Sequence, residues 1–155
     1  MPGSWSPQEF PNLTDKNSVI TSPKQNGYNC IAWAVGDTER WWWPFPAGGV
    51  AYWPKGIRRE ATIEAFIAAF GTQGFIPCAD GELQDGVEKI ALYARILGSQ
   101  LVPTHAARQL ESGEWTSKLG PLEDIRHTNR NAVDGPLYGE TVRFLARPRT
   151  RPPVA

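Results

Sequence analysis

The sequence has few of the residues on which several common chemical classes of protein depend. It contains only two cysteines, Cys30 and Cys78, too few for the disulfide framework that stabilises many small secreted domains. Its two histidines, His105 and His127, stand singly along the chain, so we expect neither a metal site nor a cofactor. No phosphate-binding glycine loop and no dinucleotide fingerprint is present.

Excess charge and long apolar runs are also missing. The 16 basic and 16 acidic residues cancel, so no overall field attracts nucleic acid or anionic lipid. No run approaches 18 apolar residues, and the segment 1–7 lacks the basic and apolar parts of a signal peptide. We therefore expect a cytoplasmic protein that has either a peptide or protein substrate or a partner protein, and that binds neither nucleic acid nor a membrane. Leaderless export and oligomeric state stay open.

The length of 155 residues suits a single hydrophobic core. Residues 1–27 are rich in Pro, Ser, Asn and Gln without a sustained period, which predicts an extended N-terminal arm. Residues 28–148 then form one domain. The Arg- and Pro-rich residues 149–155 predict a flexible tail.

Two short helices are predicted in the first half. In "YNCIAWAVGD", residues 28–37, Asn29 has the chemistry of an N-cap and Gly36 offers a stop. In "TIEAFIAAFG", residues 62–71, the apolar residues share one helical stripe between an N-cap at Thr62 and a stop at Gly71.

The second half is typical of an antiparallel sheet. Short apolar runs separated by glycine-bearing turns predict strands at residues 88–94, 104–110, 114–120 and 141–148. The first of these runs is alanine-rich and equally fits a helix. Residues 121–129 predict a single helical turn. The whole pattern predicts an α+β fold in which N-terminal helices pack on a small antiparallel sheet.

Cys30 occupies a position where a thiol can become reactive. The first turn of a helix lowers the pKa of a thiol, because its N–H groups and the helix dipole favour the thiolate. A nucleophilic thiolate also needs a base, and His105 opens one of the predicted strands. The hairpin turn at residues 111–114 places Ser117 near His105, where a polar side chain can orient the imidazole.

The order of these parts resembles the papain-like superfamily of cysteine hydrolases, in particular small bacterial members of the NlpC and CHAP type. The resemblance implies a papain-like fold with Cys30 as nucleophile, His105 as general base and Ser117 as the group that orients the base. It also implies an oxyanion or substrate site. We expect this site to include the side chains of Gln25, Trp33 and Trp43. The sequence is similar, too, to a family of uncharacterised bacterial proteins with no assigned activity.

The resemblance implies a hydrolase or acyltransferase that cleaves an amide, peptide or ester bond. The residues leave several alternatives open. Cys30 also fits a small buried apolar residue, and His127 fits either a structural histidine or the third catalytic group in place of Ser117. The tryptophan-rich residues 41–53 fit a core-covering loop or an aromatic wall of a cleft. The alternative function is a catalytically inactive binding, immunity or accessory module with the same fold.

Overall fold

Seven β-strands form the body of the protein and pair into one antiparallel sheet. The computed structural model describes residues 4–45 and 51–149. In chain order the elements are β1 (Ser18–Ser22), α1 (Cys30–Ala34), α2 (Ile63–Gly71), β2 (Ile76–Cys78), β3 (Val87–Leu97), β4 (Gln100–Gln109), β5 (Trp115–Lys118), β6 (Asp124–His127), a 3₁₀ helix (Arg130–Val133) and β7 (Glu140–Pro148). Across the sheet the strands lie in the order β1-β6-β5-β4-β3-β7-β2, so β4 is the central strand.

Both helices begin where the capping residues predicted. The Asn29 side chain accepts a hydrogen bond from the Ala32 N–H at 3.2 Å, and the Thr62 hydroxyl accepts one from the Ala65 N–H at 3.2 Å. These bonds satisfy N–H groups that a helix leaves without intrahelical partners. The predicted N-caps are therefore confirmed.

The two faces of the sheet belong to two separate apolar clusters, because successive side chains of a strand point to opposite faces. On β4, Ala106 belongs to the cluster that holds α1 and α2, whereas Ala107 belongs to the other cluster. We call these the helix face and the loop face. The loop face is covered by the N-terminal residues Phe10 and Leu13 and by the segment around the 3₁₀ helix.

The predicted fold class is wrong, because the protein is mainly β. The sheet has seven strands and dominates the fold, while α1 and α2 have only five and nine residues. β1 comes from the predicted N-terminal arm, and β6 comes from residues expected to form a helical turn. The four predicted strands are confirmed as β3, β4, β5 and β7. Residues 46–50 of the aromatic segment and 150–155 of the tail lie outside the described residues.

Among the described glycines, Gly139 lies closest to a neighbouring backbone, just before β7 begins. Its φ is +73°, in the left-handed region that favours glycine. A Cβ built on Gly139 would lie 1.9 Å from the carbonyl oxygen of Ala94 on β3. Only glycine therefore lets the segment before β7 approach β3 so closely.

Replacing Gly139 with alanine should destabilise the protein more than the same change at Gly98. Gly98 has a similar φ of +64°, but a Cβ there would meet no atom within 4 Å. Gly98→Ala should cost only the left-handed strain, about 1 kcal/mol, and Gly139→Ala should add roughly 2 kcal/mol or more from the backbone clash. Urea unfolding of both variants measures the difference. Equal losses of unfolding free energy would contradict the close approach.

Candidate functional site

Cys30 lies at the start of α1, against the helix face of β4. Its Sγ lies 3.9 Å from the carbonyl oxygen of Thr104, and its side chain belongs to the same apolar cluster as Ala106. Only 5% of the residue is exposed. Burial raises the pKa of the Cys30 thiol to about 11, although backbone N–H groups and the Lys118 ammonium act in the opposite direction. The thiol is therefore protonated at neutral pH and has the character of a packed residue.

The charged neighbour of Cys30 is Lys118, which sequence reasoning did not single out. The Lys118 ammonium donates hydrogen bonds to the carbonyl oxygens of Gln25 and Leu122 and lies 5.3 Å from the centre of the Tyr28 ring. Burial lowers the pKa of Lys118. Two backbone carbonyls and an aromatic ring thus stabilise the buried ammonium group of Lys118.

Tyr28 and Asp124 complete the polar contacts on this face. The Tyr28 hydroxyl donates a 2.6 Å hydrogen bond to Asp124 Oδ2, and burial together with this carboxylate raises the pKa of Tyr28 to about 12. Asp124 lies directly opposite Lys118 in the β5–β6 register. Tyr28 sits two residues before Cys30, so the bond fixes the chain that leads into α1.

His105 and Ser117 come together, and His127 joins them on the loop face. The Ser117 hydroxyl lies 2.9 Å from His105 Nε2 and 2.8 Å from His127 Nε2. All three side chains are fully buried. His127 Nδ1 lies 2.8 Å from the carbonyl oxygen of Asn129. One serine thus bridges both histidines of the chain, on three neighbouring strands.

We call the hydrogen-bonded row of His105, Ser117 and His127 the buried polar chain. The Asn129 carbonyl determines which ring nitrogen of each histidine in it carries the proton. A carbonyl only accepts, so His127 Nδ1 carries a proton and donates it, and the neutral ring must then accept at Nε2. The Ser117 hydroxyl therefore donates to His127 and accepts from the Nε2–H of His105. His105 Nδ1 is left as a buried acceptor with no hydrogen-bond partner among the described residues.

Burial keeps both histidines neutral. The pKa of His127 is lowered to about 4 by burial, against smaller opposing effects of the Asn129 carbonyl and Glu114. The pKa of His105 is lowered well below its usual value by burial and by the neighbouring His127. The His105 ring also stacks on Tyr138, with centres 4.0 Å apart and planes 7° from parallel. Both imidazoles are therefore packed inside the protein.

Cys30 and His105 pack with different apolar clusters. His105 contacts Tyr93 and Tyr138, both on the loop face, whereas Cys30 packs on the helix face. Within the described residues 4–45 and 51–149, no hydrogen bond joins the Cys30 thiol to either imidazole. The expected nucleophile and the expected base thus pack with apolar clusters on different faces of the sheet.

The remaining expected site residues make local structural contacts. The Gln25 side chain accepts a hydrogen bond from the Gly27 N–H at 3.1 Å. Trp33 donates from Nε1 to the Thr116 hydroxyl at 3.1 Å, and its ring stacks on Tyr28. Trp43 meets Phe66 edge to face at 5.3 Å. These contacts hold the two tryptophans against the helix-face cluster.

A separate cleft opens at one end of the sheet, where β3 passes the start of β7. Its volume is about 540 Å³. The apolar part of its lining is Ala94, Ile96, Leu101, Pro136 and Val142. The polar part is Arg95, Asp134 and Glu140. The lining thus has an apolar floor, two carboxylates and one guanidinium group. A mostly apolar surface with a few polar groups is typical of ligand-binding sites.

Asp134 is the acidic residue of the cleft lining that has a buried oxygen without a hydrogen bond and a raised pKa. Its Oδ1 is buried and has no hydrogen-bond partner within the described part of the chain. Burial and the charge of Glu140 raise the pKa of Asp134 to about 6, while Arg130 partly offsets the shift. A cation close to this carboxylate would favour its charged form and lower its pKa.

Sequence reasoning missed the cleft because its lining comes from the tip of one hairpin and from a distant loop. The available signal was the run of apolar residues at the hairpin tip in "ARILGSQLVP", residues 94–103, where a solvent-exposed turn would usually be polar. Ile96 is 73% exposed.

Metal binding and membrane spanning have no support in the residues that the structure describes. No three or more His, Cys, Asp or Glu side chains in this part of the chain are grouped so that they could hold a metal ion. None of its helices is long and apolar enough to cross a membrane.

The fold and these sites define a mainly β domain with a buried polar chain and a cleft lined by apolar and acidic side chains. Residues 19–146 match the family described as a domain of unknown function, DUF7689. The match covers most of the 155 residues, so the chain belongs to this family. Neither a curated protein nor a solved structure matches the chain.

The Cys30 thiol should react more slowly with iodoacetamide than a free cysteine at pH 8. Its pKa is raised to about 11 by burial, so the thiolate is scarce below pH 10. The rate is measured against pH in a Cys78→Ser background, with N-acetylcysteine as the reference, and His105→Gln should leave the pH profile unchanged. Rapid reaction below pH 7 that depends on His105 would contradict this placement of the thiol.

Protonation of the buried histidines should destabilise the protein as the pH falls. A lowered folded-state pKa means that the unfolded chain binds more protons below pH 6.5, so stability is lost as the pH falls from there towards 4. For His127 the loss between pH 7 and 5 is about 2 kcal/mol. Carboxylates also titrate in acid, so urea unfolding of wild type is compared with His127→Gln. From pH 7 to pH 5, the difference in unfolding free energy between wild type and His127→Gln should decrease by that amount. A difference that stays constant would refute a buried neutral His127 ring.

Proposed function

We propose that this protein is a binding domain whose cleft takes a partner protein segment that carries apolar side chains and a lysine or arginine. The cleft of about 540 Å³ between the β3–β4 hairpin and the loop before β7 carries the proposal. Its lining combines exposed apolar side chains with two carboxylates. An uncharged ligand would leave those carboxylates without a partner, and a purely polar ligand would leave the floor uncovered.

The apolar floor supports binding of a partner. Ile96 and Leu101 lie directly across from each other on β3 and β4, line the cleft and are exposed. Exposed apolar side chains grouped beside a concave surface are typical of interaction sites. Burial of Ile96 and Leu101 by a partner would contribute about 25 cal/mol per Å² of apolar area.

The charges of the cleft support a cationic partner. A cation next to Asp134 and Glu140 would relieve their mutual repulsion, which contributes to the raised pKa of Asp134. Arg95 on the same lining leaves the three groups with an excess of one negative charge when both acids are ionised. The carboxylates of Asp134 and Glu140 on the cleft lining supply the acceptors.

The cysteine hydrolase inferred from the sequence is the weaker proposal. It requires a thiolate within reach of a base, whereas the thiol has a raised pKa and packs on the other face from both histidines. The non-catalytic alternative, a binding, immunity or accessory module, requires neither group to react. A cytoplasmic location is part of the same proposal, and both cysteines being unpaired thiols supports it.

A library of random dodecapeptides displayed on phage tests the proposed binding. Selection on the wild-type protein should enrich peptides with a lysine or arginine flanked by apolar residues. Asp134→Asn combined with Glu140→Gln should weaken binding of the selected peptides about tenfold, which corresponds to about 1.4 kcal/mol. The affinities are measured by titration calorimetry.

The matched control is Asp15→Asn combined with Glu39→Gln, which removes two exposed acids that do not line the cleft. This control should leave the affinities unchanged. Failure to enrich any peptide, or equal affinities for the cleft variant and the control, would refute the proposed site.

A further inference from the structure

β3 extends past the start of β7, so part of its edge has no neighbouring strand. β3 pairs with β7 only as far as Ala94, which lies opposite Glu140. On its other side β3 continues to pair with β4 as far as Leu97, opposite Gln100. Residues 95–97 of β3 are therefore paired on one side only within the described chain. The cleft lies along this open edge, since Arg95 and Ile96 line it.

The hydrogen-bonding groups of Ile96 face the open edge. The Ala94 carbonyl points towards Gly139, on the β7 side of β3, because a Cβ on Gly139 would meet this oxygen at 1.9 Å. Backbone groups along a strand alternate between its two edges, and the register with β4 is regular from Ala94 to Leu97. The N–H and C=O of Ile96 therefore point the same way as the Ala94 carbonyl.

The hairpin turn leads to the same assignment. Leu97 and Gln100 close a two-residue loop, and the closing pair of such a hairpin exchanges both of its hydrogen bonds. The groups of Leu97 thus point to β4, and those of Ile96 point away from it. None of the backbone hydrogen bonds outside the helices and strands involves Ile96 in the described chain.

We infer that the partner segment binds in extended form and adds a short strand to the open edge of β3 at Ile96. This inference rests on the proposed function. The main chain of the segment would donate to the Ile96 carbonyl and accept from the Ile96 N–H, which is the mode of β-strand addition. Edge groups of this kind are a template for another strand unless something covers them.

The side chains around the edge then determine which segment fits. Alternate residues of an extended segment point to opposite sides. A residue on the side of Ile96 and Leu101 meets the apolar floor of the cleft. A lysine or arginine that reaches Asp134 or Glu140 meets a carboxylate. The partner is therefore an extended peptide segment with a cation among β-branched or other apolar residues, recognised partly through its main chain.

Hydrogen exchange of the Ile96 amide tests the inference directly. The probe is the acetylated and amidated peptide Thr-Val-Arg-Val-Thr, and the control probe has the same sequence with an N-methyl group on both valines and on the arginine. Near saturation, the Ile96 amide should exchange at least about tenfold more slowly. The amides of Arg95 and Leu97 are already bonded to β4 and should change little. The N-methylated probe should bind about tenfold more weakly.

The outcomes separate this inference from the proposed function. If the peptide binds through Asp134 and Glu140, but Ile96 stays unprotected and both probes bind equally, the cleft binds its partner without strand addition. If the peptide does not bind, strand addition is refuted, because this mode reads the main chain more than the sequence. The proposed function falls with it only if the phage selection also yields no ligand. Concentration-dependent protection of Ile96 without any peptide would identify a second copy of this chain as the occupant, against the inference.

Discussion

The alternation of side chains along β4 determines on which face of the sheet each buried polar group lies. It places Ala106 under α1 and His105 on the opposite face, among Tyr93 and Tyr138. One strand therefore carries a buried imidazole on one face and packs against a buried thiol on the other. A shift of one residue along β4 would exchange its two faces. The register of β4 therefore determines which of its side chains pack under α1 and which lie on the loop face.

The buried polar chain also positions the wall of the cleft. His127 donates to the Asn129 carbonyl, and the Tyr138 ring stacks on His105. The Thr104 hydroxyl donates to the Tyr138 carbonyl at 2.6 Å. These contacts hold both ends of the segment 129–138, which carries Asp134 between them. The histidines thus have a structural part in the binding site, although they touch no ligand there.

Local features of the fold could be predicted from the sequence, and their assembly could not. Asn29 and Thr62 identified both helix starts, since capping depends on a side chain and its nearest backbone. β6 was missed because its residues follow Pro121 and include polar Asp124 and His127, whose burial depends on partners from other strands. β1 was missed because its residues are mostly exposed at the edge of the sheet. The proximity of His105 and Ser117 followed from one hairpin, but the face on which Cys30 packs depends on the whole sheet.

His105, Ser117 and His127 form a hydrogen-bonded row in which both imidazoles are neutral, and no hydrogen bond among the described residues joins this row to the Cys30 thiol. The ¹⁵N NMR spectrum of the imidazole nitrogens at pH 7 tests this arrangement. We expect two neutral rings, with the proton on Nε2 of His105 and on Nδ1 of His127. A positively charged His105 ring that becomes neutral in Cys30→Ala would contradict it, because that result requires a thiolate–imidazolium pair across the sheet.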